Sequence, residues 1–176
     1  MARVERVFSH LALAVTDLER LASFYVEALG FRRGERYSAA GRRLAGLMDC
    51  EPDGFEGIFL GLNEFRLELL QYRTQPRPGP RPRNASEPGY AHTSFVVSDF
   101  EGTIEAIERG GGRVLHRMSN SYIGPGSTAL AFCADPDGNR VELVWHPSKG
   151  ESDAHIGFLG MTGIGWPAHA QLSADL

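Results

Sequence analysis

Cysteine is scarce in this chain: Cys50 and Cys133 are the only two among 176 residues. Neither belongs to a CxxC pair, so a disulfide framework is excluded and a reducing cytoplasm is the expected compartment. Long apolar runs are missing too. None approaches the roughly 20 residues that a membrane-spanning helix needs. The opening stretch MARVERVFSHLALAV carries Glu5 and a histidine in its one candidate apolar segment, so no signal peptide is expected and no membrane partner. Nor is there an excess of positive charge. The formal net charge is -4, with both signs mixed along the sequence, which removes the basic field that drives nonspecific nucleic-acid binding. What remains, 42% hydrophobic and 23% charged residues, is the composition of an ordinary soluble globular protein.

What is present is a repeat. HLALAVTDLERLASFY, from His10 to Tyr25, returns as HTSFVVSDFEGTIEAI, from His92 to Ile107. Each copy closes on a matching segment, FRLELLQY (Phe65 to Tyr72) and NRVELVWH (Asn139 to His146). Residues 8 to 15 alternate as a strand, with His10, Ala12 and Ala14 on one face and Leu11, Leu13 and Val15 on the other. A Thr16/Glu19 capping box then predicts a helix, whose apolar stripe is Leu18, Leu21, Tyr25 and Leu29 and whose stop is Gly30. In the second copy His92, Ser94 and Val96 share a face. Ser98 and Glu101 repeat the capping box, and Phe100, Ile104 and Ile107 form the stripe, ended by Gly110 to Gly112.

Strand character follows each helix: Phe31 to Tyr37, Gly57 to Leu62 and Phe65 to Tyr72 in the first copy, then Arg113 to Met118, Thr128 to Ala134 and Arg140 to His146 in the second. Each copy therefore reads β-α-β-β-β, an α+β arrangement, with Arg42 to Cys50 open as a short helix or a loop. Pro76, Pro78, Pro80, Pro82 and Pro88 lie among arginines in a stretch that resists both helix and central strand. The expected organisation is a first module over 1–74, a linker over 75–89, a second module over 90–147 and an extension over 148–176.

The repeat sets one histidine and one glutamate in equivalent places of each module: His10 and Glu68, His92 and Glu142. By alternation Glu68 shares its face with Arg66, Leu70 and Tyr72, away from Leu67 and Leu69. Glu142 shares its face with Arg140, Val144 and His146, away from Val141 and Leu143. A carboxylate flanked by apolar residues in a strand calls for a partner, because burying it unpaired is costly. A lone strand histidine is more often a packed or exposed side chain than a ligand. Four such residues at duplicated positions point instead to one shared divalent cation.

These residues, and the string DPDGNRVEL from Asp135 to Leu143, resemble the vicinal oxygen chelate superfamily, the glyoxalase, bleomycin resistance and dioxygenase proteins. The resemblance runs from about Val7 to His146. It implies two tandem βαβββ modules forming curved mixed sheets around a shared cavity, and a metal (Ni, Zn, Co, Mn or Fe) held by His10, Glu68, His92 and Glu142. It implies proton transfer on a small carbonyl or hydroxy-carbonyl substrate, with the cation stabilising an enolate. It also implies a homodimer. A glutamate held firmly by a cation is a poor base, so Glu142, or failing it Glu68, is expected to loosen and carry the proton.

Ring-cleaving dioxygenases of this superfamily generally use two histidines and one carboxylate, and the epimerases commonly have glutamine where Glu68 stands. Glyoxalase I of the bacterial type uses the His, Glu, His, Glu set. Ala14 and Tyr72 stand where glutathione users tend to carry arginine and asparagine, which implies a substrate other than glutathione's adducts. The expected pocket is lined by Ala12, Ala14, Leu70, Tyr72, Ser94 and Val144, with Tyr122 on a glycine-rich loop beside it. His116, His146, His155 and His169 are secondary acid–base candidates. Extradiol dioxygenation, and drug binding without chemistry, are the alternatives.

Overall fold

The two copies fold as two compact units, Met1–Arg83 and Asn84–Leu176. In the computed structural model the described residues are 7–74, 86–121 and 128–145. The first unit runs β1 (Leu11–Ala14), α1 (Leu18–Leu29), β2 (Arg32–Ala39), α2 (Arg42–Met48), β3 (Phe55–Leu62) and β4 (Phe65–Tyr72). The second runs β5 (Thr93–Val96), α3 (Phe100–Arg109), β6 (Arg113–Ser121), β7 (Thr128–Ala134) and β8 (Arg140–Trp145). The segment after β2 is thus a helix over Arg42–Met48, with no buried residue.

Each unit is one four-stranded mixed sheet, in the order β1-β4-β3-β2 and β5-β8-β7-β6. The first strand pairs in parallel with the last, while the other pairs are antiparallel. A parallel pair needs a long crossover connection, and the helix after the first strand supplies its start.

In the first unit α1 packs against β3 and β4. Its buried Leu18, Leu21, Ala22, Phe24, Tyr25 and Ala28 share the core with Leu13, Val15, Ile58, Leu60, Leu67 and Leu69. In the second unit Phe100, Ile104 and Ile107 of α3 are buried together with Ala131, Cys133, Val141 and Leu143. The alternation read from sequence therefore holds: the odd-numbered residues of β4 and β8 lie toward the helix, and the glutamates lie on the other face.

The helix starts differ from the expected capping boxes. The N-caps are Asp17, whose carboxylate accepts from Arg20 N–H, and Asp99, which accepts from Gly102 N–H. Thr16 and Ser98 precede the caps. An aspartate at the extended residue next to the first turn caps the free N–H groups and also meets the positive end of the helix dipole with full charge. Glu19 and Glu101 are thereby released from capping and bind arginines instead. At the other end of α1, Gly30 sits at φ 74°, its N–H returning to the carbonyl of Val26 and the Phe31 N–H to that of Tyr25, a left-handed stop that glycine takes without strain.

Candidate metal centre

His10 leads directly into β1, and its Nε2 lies 3.2 Å from Oε2 of Glu68 on β4. The parallel register sets Ala12 beside Glu68, so the strand carries the imidazole to the glutamate's face. The second unit repeats this. His92 leads into β5, its Nε2 is 3.5 Å from Oε2 of Glu142 on β8, and Ser94 is in register with Glu142. Side-chain exposure falls to 13% at Glu68 and 18% at Glu142, low enough that a carboxylate without a partner would be costly.

Behind each pair stands an aromatic ring that sequence reasoning missed. Phe59 is the register partner of Glu68 and Phe132 that of Glu142. The imidazole of His10 meets the Phe59 ring edge-on at 5.5 Å and 81°, and that of His92 meets Phe132 at 5.2 Å and 82°. These contacts fix the ring planes of the histidines. The signal lay in the duplicated strand before each glutamate strand, where both segments place a phenylalanine opposite the carboxylate.

The donor atoms fit a cation. Two neighbouring ligands at bond lengths of about 2.1 Å lie roughly 3.0–3.4 Å apart on a six- or four-coordinate ion, close to the separations seen in both units. Imidazole nitrogen with carboxylate oxygen suits first-row divalent ions. Among the described residues no three of His, Cys, Asp or Glu gather into a metal-holding group; what the structure brings together is one histidine and one glutamate in each unit.

The surroundings of the two carboxylates differ. Tyr37 of β2 donates its hydroxyl hydrogen bond to Oε1 of Glu68. Burial, reinforced by that hydrogen bond and by the glutamate's charge, pushes the Tyr37 phenol well above its ordinary pKa, so it remains a donor. Tyr72 is likewise raised, first by burial and then by the nearby Cys50 and Glu68. Of the expected pocket residues, Ala12, Ala14 and Ser94 are exposed, Tyr72 and Val144 are half-buried and Leu70 is buried. Register places Leu70 beside Ala14, and Val144 beside Val96. His116 lies in register with Phe132. Tyr122, His146, His155 and His169 fall outside the described residues.

A cavity of about 470 Å³ in the first unit is lined by Arg36, Glu56, Gln71, Tyr72 and Arg73, and neither His10 nor Glu68 borders it. Its charges are matched: Arg36 binds Glu56 and Glu19, and Gln71 accepts from the Leu18 N–H. No helix among the described residues is long and apolar enough to cross a membrane.

Known proteins resemble this chain in sequence and in fold. The lactoylglutathione lyase of Haemophilus influenzae is 28% identical over 141 residues, covering 79% of this chain and 92% of that protein. Glyoxalase I of Saccharomyces cerevisiae is 27% identical over 161 residues, covering 82% of this chain but 46% of its own length. The chain likewise spans 36% and 44% of the length of two plant relatives, from Arabidopsis thaliana and Brassica oleracea. A glyoxalase family protein from Bacillus cereus superposes with a TM-score of 0.70 at 18% identity, over 82% of this chain and 97% of that one, which shows the fold. The family model described as the Glyoxalase/Bleomycin resistance protein/Dioxygenase superfamily matches residues 7–143, and the chain belongs to that superfamily.

Proposed function

We propose that the protein is a divalent-metal-dependent enzyme of the glyoxalase I type that moves a proton on a small carbonyl or hydroxy-carbonyl substrate. The observation that carries this reading is the duplicated His–Glu pair, 3.2 Å apart in one unit and 3.5 Å in the other, each backed by a phenylalanine edge. His10, Glu68, His92 and Glu142 would hold the ion. When bound, the ion supplies Lewis-acid polarisation of a carbonyl, which acidifies the adjacent carbon. Glu142 takes the proton from that carbon and returns it to the neighbouring position, a carboxylate acting first as base and then as acid. Ala12, Ala14, Leu70 and Val144 offer the substrate an apolar wall. A second copy of the chain is the expected partner.

The substrate we favour is a carbonyl compound other than a glutathione adduct, because Ala14 and Tyr72 supply no cation for the tripeptide's carboxylates. The opposing observation is that several relatives at 25–28% identity are named lactoylglutathione lyase. One experiment addresses both points: metal analysis of the purified protein, followed by deuterium exchange into candidate carbonyl acids and into the methylglyoxal–glutathione hemithioacetal, with and without chelator. We expect stoichiometric divalent metal and exchange that chelator abolishes, with the hemithioacetal inert. Exchange that survives complete metal removal overturns the metal reading, while brisk turnover of the hemithioacetal overturns the substrate class alone.

A further inference from the structure

We infer that Tyr37 is a positioning residue that fixes Glu68 in place, so that the two otherwise equivalent carboxylates have different jobs. The inference deepens the proposed function and rests on its ligand set. Tyr37 on β2 is the register partner of Gly57 on β3, which in turn faces Leu70 of β4, on the same face as Glu68. Its ring lies over that glycine: a Cβ there would come within 2.4 Å of Cζ and 2.5 Å of Oη. Only a residue without a side chain lets the phenol lie this low across the sheet. The ring is then held from two sides, stacked on Phe59 at 5.6 Å and 18°, and edge-on to Phe55 at 6.2 Å and 89°. From there the hydroxyl donates to Oε1 of Glu68, while Oε2 is the oxygen beside His10. The two oxygens are thus divided between a phenol and an imidazole, which fixes the rotation of the carboxylate.

The second unit answers with different chemistry at the equivalent rung. Both phenylalanines that back the histidines serve as markers: Gly57 lies on the next same-face rung from Phe59, and Leu130 on the next from Phe132. The β6 partner of Leu130 is Met118, and a thioether donates no hydrogen bond. A leucine side chain also fills the space that Gly57 leaves open. Among the described residues that rung therefore offers Glu142 no hydroxyl donor such as Tyr37 offers Glu68, and Glu142 is the carboxylate assigned to turn between cation and substrate.

The test is Co²⁺ titration of the full chain, read by equilibrium affinity and by the visible d–d spectrum, for wild type, Tyr37→Phe, Gly57→Ala and Met118→Leu. Tyr37→Phe retains the stacked ring and loses only the hydroxyl. We expect about 10-fold weaker Co²⁺ binding or more, the effect of removing an outer-sphere partner of a ligand, together with an altered spectrum. Gly57→Ala should reproduce the loss by displacing the ring, and Met118→Leu should leave affinity unchanged. In a double-mutant cycle with Glu68→Gln the two losses should not add, a coupling that a merely structural tyrosine would not show. Wild-type affinity and spectrum in Tyr37→Phe overturn the inference while leaving the ligand set intact. A wild-type chain that binds no Co²⁺ overturns the ligand set itself, and the inference with it.

Discussion

The two units of this protein are alike where geometry is at stake and unlike around their carboxylates. Both start their helix on an aspartate, Asp17 and Asp99. Both tie the second strand to the helix start through arginine, Arg33 and Arg36 to Glu19 in the first unit and Arg117 to Glu101 in the second. Both set a histidine against the edge of a phenylalanine and within 3.5 Å of a glutamate. They part at one rung of the sheet, Tyr37 with Gly57 in the first unit and Met118 with Leu130 in the second. On the proposed reading, the shared features set where a donor atom stands and the differing rung sets how freely it turns. A duplicated scaffold would, on that reading, supply two chemically identical ligands and assign them separate tasks.

The strongest way to break this comparison is to exchange each carboxylate for its amide. Glu142→Gln should lower substrate proton exchange by roughly 10²–10⁴-fold, the contribution of a positioned general base, while the protein still purifies with metal. Glu68→Gln should act in the reverse order, losing metal content first and activity as a consequence. Elemental analysis alongside deuterium exchange separates the two effects. Equal behaviour of both variants would falsify the division of labour, and a Glu68→Gln protein that keeps metal yet loses exchange would invert it.

A smaller effect sharpens the likeness of the two units. Asp17→Ala and Asp99→Ala should each cost about 1 kcal/mol, the usual magnitude for an N-cap. Thr16→Ala and Ser98→Ala should cost clearly less, since these residues stand before the caps. Urea unfolding of the four variants, compared at constant slope, measures this. If the threonine and serine variants proved the more damaging pair, the capping boxes read from sequence would be restored.

Most of the fold was legible because burial imposes period. Leu67 and Leu69 alternate with Glu68, and Val141 and Leu143 with Glu142, so strand, face and candidate ligand could be read together. Helix spacing was equally plain in Leu18, Leu21 and Tyr25, all buried. The caps misled because Thr-Asp and Ser-Asp each offer two capping side chains in succession, and the choice depends on the backbone angle at the second, φ -143° at Asp17 and φ -115° at Asp99. Tyr37 was invisible for a different reason. Its partner lies two strands away, and the register shift in β2 between Arg33 and Arg36 sets which residue of that strand faces Gly57. Local pattern carries no information on such a shift, so a contact made across it appears only with the sheet assembled.

The smallest expected difference concerns acid. In the first unit Arg36 joins two carboxylates, Glu19 and Glu56, and Arg73 stands 3.9 Å from Glu56. In the second, Arg117 holds Glu101 and rests 5.6 Å over the Phe100 ring, and the rung that matches Glu56 carries Ala129. The hydrogen bond from Arg36 holds the Glu56 carboxyl below its ordinary pKa. A carboxyl whose folded pKa is depressed stabilises the fold at pH values above its unfolded pKa, and that contribution disappears as pH falls through the folded value. Glu56→Gln should therefore lower stability slightly near neutrality and not at all in strong acid, where wild type is protonated as well. Because the pair is exposed, the difference should also shrink in high salt. Glu101→Gln, on an arginine with an aromatic ring as its second support, should be the less sensitive to salt. Thermal unfolding of the two variants from neutral to acid pH, at low and high salt, checks the ranking, and a larger salt response at Glu101 would show that the aromatic contact does not substitute for a second carboxylate.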